Sequence, residues 1–183
     1  MTRLNVATKK RRRNRCAAFA GDSTGATAVE FALVAAPFLA LIIALIQTFL
    51  VFFAQELLES VVRQSSRLIL TGQVKDQAMT QAAFKQKVCD QVVIFFTCSG
   101  LMIDVQVANS WSTADTAMPT LTFDSTGAVN NTWQFNPGDV GDIVVLRVTY
   151  IWPVVLGPLG FNLSNISNGS RQIMASAAFQ NEP

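Results

Sequence analysis

The feature that most limits what this chain can become is a stretch of 25 residues without a formal charge, Phe31 to Gln55. At about 1.5 Å of rise per helical residue, some 20 apolar residues cross a hydrocarbon core roughly 30 Å thick, so this stretch crosses with length to spare. Immediately upstream lies a basic cluster, Lys9, Lys10, Arg11, Arg12, Arg13 and Arg15, and seven of the 14 Lys and Arg residues fall within the first 15 positions. Basic residues gathered on one flank of a span keep that flank in the cytoplasm. The N-terminus is therefore expected inside and everything after about Glu56 outside. A cleaved secretory signal fits poorly, because its apolar region is only about 7–15 residues long and ends at an A-x-A-like site. Here the helical pattern continues through Glu56, Leu57, Leu58, Glu59, Ser60, Val61, Val62 and Arg63. Nor does the basic run imply a nucleic-acid partner: topology accounts for its charge, and no aromatic residue interleaves with it.

Length bounds what remains. Leader and anchor take up about 70 of the 183 residues, leaving enough for one small domain but not two. The expected division is a basic leader over 1–25, an anchor helix over 26–71 and an outer domain over 72–183. The net charge of +2 hides an asymmetry: residues 1–25 carry seven basic groups and only Asp22, whereas 26–183 carry seven basic and eleven acidic groups, a balance of −4.

The sharpest motif is Gly25-Ala26-Thr27-Ala28-Val29-Glu30-Phe31, a glycine between basic leader and apolar helix with a lone carboxylate five residues further on. It resembles the processing site of type IV prepilins, in which a membrane-embedded prepilin peptidase cuts after the glycine. By that resemblance Ala26 becomes the new N-terminus and Glu30 the fifth mature residue. The turn-rich stretch Gly21-Asp22-Ser23-Thr24-Gly25 suits a bond that must be presented in extended form. Glu30 has two readings. As a helix-end acid it would gain about 0.3–1 kcal/mol from the dipole. Deeper in the bilayer it would cost at least about 2.5–3.5 kcal/mol unless a positive group met it. In the pilins and pseudopilins that this segment resembles, that group is the α-amine of a neighbouring subunit, here that of Ala26.

More residues narrow the resemblance. The run Gly25 to Pro37, the helix continuing through Phe53-Ala54-Gln55 to Arg63 and Arg67, and the end Asn181-Glu182-Pro183 look like the TadE-like family, minor pilin-like proteins of the tight adherence system that builds Flp-type pili. The resemblance implies a pseudopilin of the bacterial inner membrane that works with a prepilin peptidase and other pilin-like assembly subunits, and enters the fibre or stays in the membrane. Major Flp pilins usually carry Glu-Tyr at this point and are very short. Phe31 after Glu30, and the long domain after the helix, point to the pseudopilin side. The alternative is an unprocessed signal-anchor protein whose outer domain binds a periplasmic ligand.

Periodicity predicts an α+β fold. Pro37 should kink the anchor helix, since its missing N–H frees a carbonyl that a membrane helix can satisfy locally. From Ala54 the helix turns amphipathic, with Leu57, Leu58, Val61, Val62, Leu68 and Ile69 on one broad side, Glu56, Glu59, Arg63 and Arg67 around the other, and a stop at Thr71-Gly72. A second helix is expected from about Lys75 to Asp90. Leu101, Ile103, Val105 and Val107 alternate with Met102, Asp104, Gln106 and Ala108, the pattern of a half-buried strand. Residues 109–131 read as a surface excursion with at most weak strand around Leu121-Thr122-Phe123. Asn136-Pro137-Gly138-Asp139 reads as a turn, Asp142 to Val155 as the central strand interrupted near its end by Pro153, and Ile173 to Gln180 as the last strand. Three or four strands would make a small antiparallel sheet with one packed helix.

Cys89 and Cys98 fall in the part assigned outside, where an oxidising compartment permits a disulfide; two independent buried thiols are the other reading. Cys16 in the leader should stay unpaired. The chain has no histidine, so Ser-His and Cys-His nucleophile pairs are impossible and a metal site is disfavoured; no phosphate-binding glycine loop follows a strand. Asp139 and Asp142 flank a turn, where solvated carboxylates need no further role. Neither enzymatic activity nor a cofactor is expected.

Overall fold

A computed structural model describes residues 25–182 apart from Val93, Leu156, Pro158 and Leu159. The basic cluster Lys9, Lys10, Arg11, Arg12, Arg13 and Arg15, and Cys16 with it, lies outside the described residues. The fold is α+β. Helix α1 runs from Ala26 to Leu70, α2 from Gln73 to Asp76 and α3 from Gln81 to Asp90, followed by strands β1 (Met102–Ala108), β2 (Ile143–Trp152) and β3 (Arg171–Gln180). By compactness the chain divides into two units, and the division falls inside α1, between Ile42 and Ile43.

Within the first unit, Pro37 is carried inside α1 and the apolar side chains around it, Phe31, Leu33, Val34, Phe38 and Leu39 among them, are exposed. Apolar residues in such numbers find no cover among the described residues. An 18-residue window of α1 has mean hydropathy 2.6 and none of it is buried, so the helix is long and apolar enough to cross a membrane.

In the second unit the same helix acquires an inner face. Ala54, Leu58, Val61, Val62 and Ile69 are buried at the i, i+3, i+4 spacing that puts side chains on one side of a helix, while Leu57 and Leu68 pack against the cluster more loosely. Burying a side chain such as Leu58 contributes about 1.5–3 kcal/mol. On the outer side Glu59 and Arg63 pair at 3.7 Å. The helix stops where the sequence indicates: Gly72 adopts φ 72°, and its N–H bonds the Ile69 carbonyl at 2.9 Å.

The second helix differs from the reading of 75–90 as one element. It is two pieces, α2 and α3, because Ala78 takes a positive φ of 46° and the Thr80 side chain caps α3 by accepting from the Ala83 N–H at 3.2 Å. A threonine at the cap position restarts the helix that Ala78 ends. Phe84, Val88 and Cys89 then face the core.

The sheet is antiparallel in the order β1-β2-β3. Ile103 pairs with Val148, Val105 with Leu146, Ala175 with Val148 and Ile173 with Tyr150, so one face carries these apolar residues against α1 and α3. The central strand stops at Trp152, one residue before Pro153, which has no N–H to extend the ladder. The turn before it is built as its residues suggest. Gly138 takes φ 71°, and a Cβ there would sit 3.0–3.1 Å from Val144, Asp142 and Val107. Asn181 anchors this turn by donating to the carbonyls of Pro137 and Asp139 at 2.8 and 3.1 Å, and the Glu182 N–H bonds the Leu70 carbonyl at the end of α1.

The opposite face of the sheet departs from expectation. Alternation in β1 assigns Asp104 to solvent, yet Asp104 is only 3% exposed, and its cross-strand neighbour Arg147 only 9%. The reason is the 109–135 excursion. Its residues stay largely at the surface but lie across this face: the Gln172 side chain donates to the Pro119 carbonyl, the Ser176 hydroxyl to that of Thr116, and the Gln134 N–H to Asp104. The weak strand expected near Thr122 is a single bridge between Phe123 and Val129.

Candidate functional site

Residues 25–31 stand at the start of α1. Gly25 directly precedes the helix, is exposed, and among the described residues has nothing within 4 Å of where a Cβ would project. Nothing in the packing therefore requires glycine there. Ala26 opens the helix, and Glu30 and Phe31 are both exposed. The first turn contains no acidic residue; Glu30 falls just beyond it, where the interaction with the helix dipole has already weakened. Among the described residues no ion pair engages its carboxylate. The arrangement presents an acid on an otherwise apolar helical surface, four residues from the position of the proposed new amine.

Cys89 and Cys98 form a disulfide, with Cα atoms 5.4 Å apart, within the ordinary range for such a bond. It joins the last turn of α3 to a 3-10 turn, Cys98–Gly100, and closes the loop between them. The loop is also held from within: Val92 and Phe96 are buried, and the Phe96 ring meets Tyr150 edge-on at 4.9 Å between centroids.

One cluster escaped the sequence reading. Arg147 donates through Nε and Nη2 to Oδ2 of Asp104, at 3.1 and 2.6 Å, and through Nη1 to Oδ2 of Asp115 at 3.0 Å. Asp104 is completed by the Gln134 N–H on Oδ1 and the Gln106 side chain on Oδ2, both at 2.8 Å. The signal was present: Arg147 is the one charged residue of the strand Ile143–Trp152, and a charge in a buried run demands a partner. The Ala117 N–H holds the Asp115 carboxyl below its ordinary value; burial opposes it, and the charge and hydrogen bond of Arg147 add to the lowering. The Thr126 hydroxyl and the N–H groups of Ala128 and Thr126 do the same for Asp124. Arg147 and Asp104 fasten the excursion to the sheet through Asp115 and the Gln134 N–H, while Asp124 closes a turn within it. These groups contain no nucleophile paired with a base.

No cluster able to hold a metal ion occurs among the described residues. A hollow of about 500 Å³ beside Tyr150, Trp133 and Lys85 is open to solvent, and Lys85 is its one charged lining residue. It offers no acid and base together.

Comparison with known families gives one match: residues 25–67 fit the family model described as TadE-like protein. The match covers the glycine, the apolar run and the helix to Arg67, and not the chain end Asn181-Glu182-Pro183; similarity to this family points to a pilus-related protein of the tight adherence system. Such proteins are structural. No curated protein and no solved structure gives a significant match.

Proposed function

We propose that this protein is a minor pilin-like subunit, a pseudopilin, for assembly of Flp-type pili. In this reading a prepilin peptidase cuts between Gly25 and Ala26, α1 anchors the mature chain in the bacterial inner membrane, and the α+β domain faces the periplasm. The observation that carries it is the conjunction at one helix start of an unconstrained glycine, an exposed acid and an uncovered apolar surface, within the matched segment. Each part has a physical task. A residue without Cβ gives a peptidase an unhindered bond. The apolar surface stays in lipid or meets other helices. An acid on that surface is costly alone and rewarding when paired, so docking against a neighbour whose Ala26 amine meets Glu30 fixes the axial register of two helices.

Mass spectrometry of the protein from cells containing the cognate peptidase should find an N-terminus at Ala26; intact chain alone would remove the reading. Glu30→Ala should still insert in the membrane, yet lose crosslinks to other pilin-like subunits and fail in pilus-dependent adherence. Wild-type assembly and adherence by that variant would leave the carboxylate as a helix-end or topology feature.

A further inference from the structure

The loops at one end of the sheet carry apolar side chains where a domain standing in water would place charge. Ile94, in the loop closed by the disulfide, is 87% exposed, and Val155, just past β2, is 72% exposed. Both loops stand beside the same short stretch of α1. The Phe95 ring meets Phe53 edge-on at 5.1 Å, Phe53 stacks on Phe49 at 5.7 Å, and Val154 and Val155 share a hollow with Leu50 and Val51. A third segment brings the exposed Met118 to a neighbouring hollow lined by Val51, Phe52 and Gln55. Residues 91–101, 116–123 and 153–170 contain no Asp, Glu, Lys or Arg. At the other end of the sheet Lys75 pairs with Asp139, and Asp76 and Glu182 lie close by, whereas the charges beside the loops, Lys85 and Arg171, each donate to a loop carbonyl, that of Ser99 and that of Leu163.

We propose that these three loops form an apolar collar that seats the domain in the interfacial layer of the bilayer instead of holding it clear in water. The proposal rests on the membrane-spanning reading of α1. Continuity selects lipid as the occupant: the exposed apolar surface of α1 at Phe49, Leu50 and Phe52 passes into the loops, and the one charged residue lining the hollows between them, Arg171, is half-buried and donates to the Leu163 carbonyl. A protein-binding patch ordinarily has a polar rim carrying hydrogen bonds, whereas an uncharged surface adjoining a span suits the boundary between headgroups and acyl chains. Trp152, half-buried at the end of β2, belongs to the residue type that collects at that depth. The collar would set how far α1 sinks.

The test uses the full chain carrying Cys16→Ser, in vesicles of phosphatidylethanolamine and phosphatidylglycerol. A single environment-sensitive fluorophore is attached through V155C, M118C, V140C or L41C, the Cys89–Cys98 pair being bonded and unreactive. Val140 is an exposed control at the charged end, and Leu41 a control on the helix. Probes at Val155 and Met118 should lose emission to nitroxide lipids labelled near the headgroup more than to those labelled at the chain end, as surfaces buried about 5–10 Å would. The probe at Val140 should be quenched by neither. Adding I94D should weaken quenching at Val155, and no weakening would remove that loop from the collar. Quenching at Leu41 with none at Val155 and Met118 overturns the collar while leaving the span. Absence of quenching at Leu41 overturns the span itself. Probes shielded from lipid only as protein density in the vesicles rises would show that a second copy covers the tips, which also overturns the proposal.

Discussion

Replacing Arg147 by methionine isolates what holds the outer face of the sheet together. The substitution keeps a long apolar stem and removes three charge-assisted bonds, two to Asp104 and one to Asp115. Their worth differs sharply with burial. Asp104 is 3% exposed, and without the guanidinium its carboxylate keeps only the Gln134 N–H and the Gln106 amide. Breaking a buried pair from one side costs about 3–5 kcal/mol, because the surviving charge is left uncompensated. The Asp115 side chain is 67% exposed, so Asp115→Ala, which breaks only that link, should cost no more than about 1 kcal/mol. Small domains are stable by about 5–15 kcal/mol in total, so Arg147→Met removes a large share. With a urea dependence of about 1–3 kcal/mol per molar, the unfolding midpoint should fall by at least about 1 M. The assay is urea unfolding of the full chain in micelles, followed by tryptophan emission; Trp111 and Trp133 lie in the excursion and Trp152 ends β2. A midpoint shift for Arg147→Met no larger than that for Asp115→Ala would refute the reasoning. Removing both charges, as Asp104→Leu with Arg147→Met, should recover much of the loss, since no unpaired buried charge then remains.

Gly25→Val should block cleavage without altering the fold, because a Cβ there meets none of the described residues within 4 Å; intact chain should accumulate with a wild-type unfolding midpoint. Thiol labelling of mature protein without reductant should find no free cysteine, and replacing Cys89 and Cys98 by serine should cost roughly 2.5–3 kcal/mol in the chain-entropy model, read as a lowered midpoint. Asp115 and Asp124 titrate below the ordinary carboxylate value of 3.8 in the folded protein, so their contribution is present above 3.8 and lost as pH falls through their folded values. An acid titration should therefore change Trp111 and Trp133 emission below that pH, and Asp124→Asn should flatten the part due to the 122–130 turn.

Much of this architecture is local and so legible in the chain. Phe31 to Gln55 needs no tertiary partner to declare a helix long and apolar enough to cross a membrane, since length and absence of charge suffice. The period-two runs at 101–108 and 173–180 gave strands at their observed places, and Thr71-Gly72 gave the helix end, because each depends on side-chain direction or φ over a few residues. The glycine and acid at 25 and 30 were equally visible; the work proposed for them depends on a peptidase and a neighbouring subunit. Tertiary structure decided what lies opposite what. Alternation in β1 identifies two faces but not whether both are covered, and the long return of 109–135 over the sheet turned Asp104 from a solvent residue into the partner of Arg147. Ala78 and Thr80 split a helix that composition ran together. The same holds for Phe95, Met118 and Val155, more than twenty residues apart in sequence, which come to one stretch of α1 only through the tertiary fold. Contacts of that range follow from the sheet register and the loop paths, which no local pattern encodes.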